Sequence, residues 1–271
     1  MEKLTVFKMI EAFFFKDIKV FLSYKFNLVM SAITIMFLTA FIFLFSSSIE
    51  LNIQSKYASN PFNFFLFGLI ITELSVRLVS NIPNTLRGYQ LSGVIESIFM
   101  DNRHSIMLIV AGTTFPVFLA LIRMGLYLIL SFFLVDEFQL IYSNLHIGFL
   151  VILVSVVSFV SIGLLSAYFT LNFKIANPIF LIYSAIILLF SGALIPLDSI
   201  PESLSWLSYI LPNTYAIEIL REINTSPELS ESVSSNIIFL LLLTFVYFAA
   251  GIYVAKMGIR HSKISGNFGH Y

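Results

Sequence analysis

Long apolar runs separated by short polar segments set the plan of this chain. A helix needs about 20 apolar residues to cross a hydrocarbon core. By that ruler the sequence predicts six spans, at 26–46, 61–80, 105–135, 146–170, 178–195 and 236–257. The third is long enough to tilt or to project from the bilayer. The fifth is the least regular, because Asn177-Pro178 opens it and Ser191-Gly192 and Pro196 interrupt its end. The fold class expected from this pattern is an all-α polytopic membrane protein with six transmembrane helices, its transmembrane domain running from 26 to 257 and a tail following at 258–271.

Three segments carry an apolar pattern without the length to span. In residues 1–25, Lys8, Glu11, Lys16, Lys19 and Ser23 share one helical face, and Val6, Ile10, Phe13, Phe14 and Phe21 gather roughly opposite, with Asp17 intruding. That is the pattern of a helix lying in the membrane interface. In residues 86–101, Leu91, Val94, Ile95, Ile98 and Phe99 recur at helical spacing while Gln90, Ser97 and Asp101 fall elsewhere, which predicts a short amphipathic helix with one wet side. Its apolar stripe must lie on lipid or dock into a partner protein. In residues 193–223, the runs Leu204 to Leu211 and Ala216 to Ile223 are broken by Pro196, Pro201 and Pro212. They suit re-entrant or interfacial helices at the outer end of a bundle, with Trp206, Tyr209 and Tyr215 at headgroup level.

Charge orients these pieces. With the N-terminus inside, the inner flanks hold Lys3, Lys8, Lys16, Lys19, Lys25, Arg87, Arg103, Lys174, Lys256, Arg260 and Lys263, and the outer flanks only Lys56 and Arg221. The bias predicts both termini, and 86–101, on the cytoplasmic side of a multi-pass plasma (inner) membrane protein. The outer segments are acidic, with Glu50, Asp136, Glu137, Asp198, Glu202, Glu222, Glu228 and Glu231.

Composition removes other classes. The 271 residues are 58% hydrophobic and 11% charged, with a mean hydropathy of +0.95, where soluble domains carry about 25% charged residues. A net charge of zero gives no case for nucleic acid, and no cysteine is present for disulfides or thiolate metal sites. His104, His146, His261 and His270 show no ligand spacing. No catalytic cluster is visible, so the chain is not expected to be an enzyme. No small-residue cleavage site follows the first apolar run, which reads as a retained span.

Two charges stand inside predicted spans. Glu73 and Arg123 would each cost about 2.5–3.5 kcal/mol at mid-bilayer, so each needs a partner. Both lie about 18 Å in from the outer ends of their helices at 1.5 Å per residue, and can meet. Arg77, one turn below Glu73, competes. The pair either ties the second and third spans together or serves a substrate or proton path.

The run Ser191-Gly192-Ala-Leu-Ile-Pro196-Leu-Asp-Ser-Ile-Pro201, then Leu211-Pro212-Asn-Thr-Tyr215 and Arg221, resembles the signature near the C-terminus of type-2 ABC exporter permeases. Gly93-Val-Ile-Glu96-Ser-Ile-Phe is similar to that family's segment after the second span. The resemblance implies that Arg87 to Met100 is a coupling helix seated in a nucleotide-binding subunit. Gly93 and Glu96 match the family's segment, and Arg87, Leu91, Val94, Ile95 and Phe99 complete the coupling set. It implies a second contact through the N-terminal helix, pairing with a second permease copy or paralogue, and an outer gate built on Gly192, Pro196, Pro201, Pro212 and Tyr215.

The chain contains no Gly-Lys dipeptide and therefore no Walker A loop. The resemblance therefore implies that ATP and Mg are bound by a separate ABC ATPase subunit, and no cofactor is expected in this chain. Most of the thirty phenylalanines and twelve tyrosines are expected to face membrane lipid or neighbouring helices. An aromatic path through the rest favours a drug, a lipid or a lipid-linked glycan over an ion without choosing among them, with a drug or lipid the first expectation. Export of a lipid-linked polysaccharide is the alternative, although Tyr24-Lys-Phe-Asn-Leu-Val-Met-Ser lacks the Gly and Trp pattern of that branch. An ATP-independent secondary transporter is more distant, since only Glu73 and Arg123 provide mid-membrane charge and no repeat is evident.

Overall fold

A computed structural model describes residues 2–48, 61–99, 105–135, 144–173, 178–225 and 230–265. Lys56, Asp101, Arg103, Lys174, Asn177, the acidic Glu50, Asp136, Glu137 and Glu228, and Met100 at the end of the predicted coupling helix lie outside them. All elements are helices, and no strand occurs among the described residues. They are α1 (Glu2–Ser23), α2 (Lys25–Ser48), α3 (Pro61–Leu91), α4 (Ile95–Phe99), α5 (Ser105–Ala111), α6 (Thr114–Leu134), α7 (Leu145–Phe173), α8 (Pro178–Phe190), α9 (Glu202–Tyr209), α10 (Pro212–Ile223) and α11 (Glu231–Ser265).

Five of these units, counting α5 with α6, are long and apolar enough to cross a membrane. The fifth predicted span, 178–195, is not a full-length helix. α8 has 13 residues, about 20 Å, and stops at Ser191 because Gly192 takes φ +79°, a left-handed conformation that ends helices. The third predicted span breaks between α5 and α6. Pro116 lacks an N–H and its ring crowds the Gly112 carbonyl, and Thr113 and Thr114 turn their hydroxyls back onto Val110 O and Ala111 O. The last span runs longer than expected, since α11 continues through Ser265 into the predicted tail.

The rigid centre is α3, α7 and α11. Membrane helices gain little from burying apolar surface against each other, so small residues that admit close backbone approach decide their packing. On α11, Thr244, Gly251 and Gly258 recur every seven residues. A Cβ on Gly251 would stand 2.6 Å from Ser161 O, and one on Gly258 would stand 2.8 Å from Tyr168 Cα. Thr244 and Ser158 share a hydrogen bond of 2.5 Å, and Ser262 donates to Asn172 at 2.9 Å. On the other side, Pro83 sits inside α3 and leaves the Val79 carbonyl without its helical donor. Gly163 of α7 closes on that carbonyl, where an added Cβ would come within 3.1 Å.

α1 and α2 lie to one side with α6. Phe14 meets Phe115 and Phe118 edge-on, with ring centroids 5.7 and 5.5 Å apart, and Phe21 meets Phe115 at 5.5 Å. The inward stripe of α1 is Phe13, Phe14, Asp17, Ile18 and Phe21. Ile10, assigned to the apolar face, is exposed, and Asp17 stays on that face paired with Lys16 at 3.1 Å.

Candidate functional site

α3 carries functional groups along its whole length. Its 31 residues make a rod about 46 Å long with a clamp at the first turns, a charge cluster at the middle and an exposed corner at the end.

The corner departs from the single amphipathic helix predicted over 86–101. Residues up to Leu91 extend α3, Gly93 turns the chain with φ +70°, and α4 is a separate five-residue helix. Two predicted coupling residues, Ile95 and Phe99, are buried against Ile82, Leu86, Ile109 and Leu171 and cannot face a partner. They anchor the corner. Gln90, assigned to the wet side, is buried and donates to Thr170 O at 3.1 Å, and Arg87 reaches Gln90 Oε1 at 3.3 Å. The surface that remains is Leu91, 66% exposed, with Val94, Glu96 and Ser97 around Gly93. The α-helical wheel misread this segment because the left-handed glycine resets the phase between α3 and α4.

The middle of the rod joins Glu73 and Arg123. Glu73 Oε1 accepts from Arg123 at 2.9 and 2.6 Å and from Arg77 at 2.7 Å. Arg123 is buried and also donates to Ser31 of α2, so the cluster ties three elements. One carboxylate serves two guanidiniums. Arg77 remains 42% exposed along its side chain and borders a cleft of about 250 Å³ with Ser80, Asn81 and Asn84 on one wall and Phe115, Pro116 and Leu119 on the other.

The first turns of α3 meet the predicted outer gate. Pro212 stands at the first position of α10, where its missing N–H costs nothing, and Pro201 precedes α9. α9 lies at the surface with Trp206 and Tyr209 exposed, whereas α10 is buried along nearly its whole length. Tyr215, a predicted gate residue, is buried and donates to Tyr209 O at 3.1 Å. Pro196 and Gly192 bracket the irregular segment after α8. Tyr183 of α8 bonds Asn213, and Glu222 accepts from Ser230 and Ser232.

What holds this end was not foreseen. Arg221, counted from the sequence as an outer surface charge, is 4% exposed. It donates to Gly192 O at 2.8 Å, to Phe64 O at 2.7 and 3.2 Å and to Ala193 O at 3.3 Å, and its guanidinium lies 3.5 Å over the Phe64 ring. The Ala193 carbonyl seats on Gly68, where a Cβ would collide with it. Nothing local in Ile219-Leu220-Arg221-Glu222 separates a buried clamp from an exposed charge.

Membrane-spanning helices around a buried charge cluster, with a carbonyl clamp at one end and an exposed corner at the other, define a polytopic membrane protein. The ABC-2 type transporter family model matches residues 9–224, most of the chain, and the chain belongs to that family as a permease subunit. No curated protein matches it in a sequence search.

Proposed function

We propose that this permease exports an amphipathic, membrane-soluble substrate, a drug or a lipid, using ATP hydrolysed by ABC ATPase subunits carried on separate chains. The observation that carries this reading is the corner at the end of α3. Leu91 and Val94 present apolar surface beside Glu96 while Ile95 and Phe99 fix the corner to the bundle, which is how a helix end is built to be pushed. α3 is continuous from that corner to Arg77 and Glu73, so displacement of Leu91 reaches the polar cleft without an intervening loop. Two permeases pair, and the cleft beside Arg77 receives the polar end of the substrate while the aromatic wall at Phe115 receives its apolar part. The corner and both termini face the cytoplasm of the plasma membrane by the lysine and arginine bias.

Purification of the chain from its native membrane in mild detergent tests the coupling. An ABC ATPase is expected to co-purify, and Glu96→Arg or Leu91→Asp is expected to lose it while keeping membrane insertion. A wild-type chain that transports without an ATPase would sink the proposal.

A further inference from the structure

The cytoplasmic end of α11, as oriented above, carries a second site that the transport path does not use. Between α5 and α11 lies a groove of about 640 Å³. Lys256, Arg260 and Lys263 recur on one face of α11 and stand at its rim, and Ile106, Ile252 and Ile259 line its walls. Lys256 and Arg260 are exposed and have no acidic partner among the described residues. At 1.5 Å per residue Lys256 lies about 38 Å along α11 from Glu231, which is the inner headgroup level for a bilayer about 40–45 Å thick with its interfaces.

From this geometry we infer that the groove binds one anionic phospholipid of the cytoplasmic leaflet, its phosphate on Lys256, Arg260 and Lys263 and an acyl chain against the isoleucines. Charge complementarity selects the occupant. Basic pockets between transmembrane helices on the cytoplasmic side take anionic headgroups, and the apolar walls offer an acyl chain a surface that an ion with no chain does not use. The contrasting groove between α6 and α7, about 340 Å³ and lined by Phe67, Met124, Leu128 and Ile152, offers no cation and selects no headgroup. Because Ile109 and Ile259 pack in one cluster with Ile95 and Phe99, the lipid braces the corner proposed to meet the ATPase. The inference rests on the proposed orientation for the leaflet, but not on transport.

Native mass spectrometry of the detergent-solubilised permease, titrated with phosphatidylglycerol or phosphatidylcholine, tests it without ATPase or substrate. One phosphatidylglycerol is expected to be retained at least about tenfold more tightly than phosphatidylcholine. The triple substitution Lys256→Ala, Arg260→Ala, Lys263→Ala is expected to abolish that preference, while the charge-matched Lys8→Ala, Lys19→Ala, Lys25→Ala preserves it. Met107→Trp, which fills the groove and keeps every cation, is expected to weaken retention as well. Equal binding of the two lipids, equal loss in both triple variants, or displacement by millimolar inorganic phosphate would overturn the site. Loss of ATPase co-purification with lipid binding intact would overturn the exporter reading alone.

Discussion

Arg221 and Arg123 are both buried arginines within reach of α3, and the protein satisfies them in opposite ways. Arg221 is held by backbone carbonyls at the end of α8 and the first turn of α3, with the Phe64 ring beneath it. Arg123 is held by a carboxylate that it shares with Arg77. A carbonyl clamp depends on a single donor side chain, because Gly192 O and Ala193 O stand in a non-helical turn and both accept from Arg221. The ion cluster does not, because Arg77 stays beside Glu73 when Arg123 is lost. The clamp is therefore a structural knot, and the cluster keeps a cation beside its carboxylate when one arginine is removed.

The largest effect is expected at the knot. Arg221→Ala orphans two or more buried carbonyls at about 1–3 kcal/mol each and should lower unfolding stability in detergent by about 3–5 kcal/mol, with Arg221→Lys recovering only part. Next is Arg123→Ala, at about 2–3 kcal/mol, cushioned by Arg77. A double-mutant cycle with Glu73→Gln should return a coupling of about 1–3 kcal/mol, and strict additivity would dissolve the pair. Gly68→Val should cost about 1–3 kcal/mol by pushing the Ala193 segment off α3, measurable by the same unfolding assay and largely absent in an Arg221→Ala background. Arg77→Ala should cost less than about 1 kcal/mol, as expected of a half-exposed pair four residues apart, yet reduce transport of an anionic amphipath in proteoliposomes. Unchanged transport would remove Arg77 from the path.

The smallest effect concerns Glu218 on α10. Burial pushes its carboxyl above the ordinary value of 4.5, against the pull of Arg221. A raised carboxyl stabilises the fold at pH below its unfolded value, and that contribution is lost as pH rises through the folded one. Thermal midpoints should therefore fall as pH rises above the ordinary carboxyl value of 4.5, and Glu218→Gln should flatten the slope.

Apolar length made most of the spans legible, because a helix that must satisfy its own backbone in lipid needs a run of fixed size. The pairing of Glu73 with Arg123 was legible for the same reason, since an intramembrane charge without a partner is too costly and equal depth restricts the choice. The 86–101 segment was misread where one glycine changed the helical phase. The α7–α11 seam went unread although Thr244, Gly251 and Gly258 repeat every seven residues, a signal that period counting on small rather than apolar residues would find.

The sequence by itself determined a helical membrane protein of the type-2 ABC permease kind, its apolar lengths and its charge asymmetry, because hydrophobic thickness and ion desolvation act on each segment locally. Only the tertiary structure decided that Ile95 and Phe99 turn inward and that Arg221 leaves the surface to clamp Gly192 and Phe64. Those outcomes depend on which carbonyls and side chains meet across the fold, as Arg221 meets Phe64 O from 157 residues away, and no local pattern carries that information.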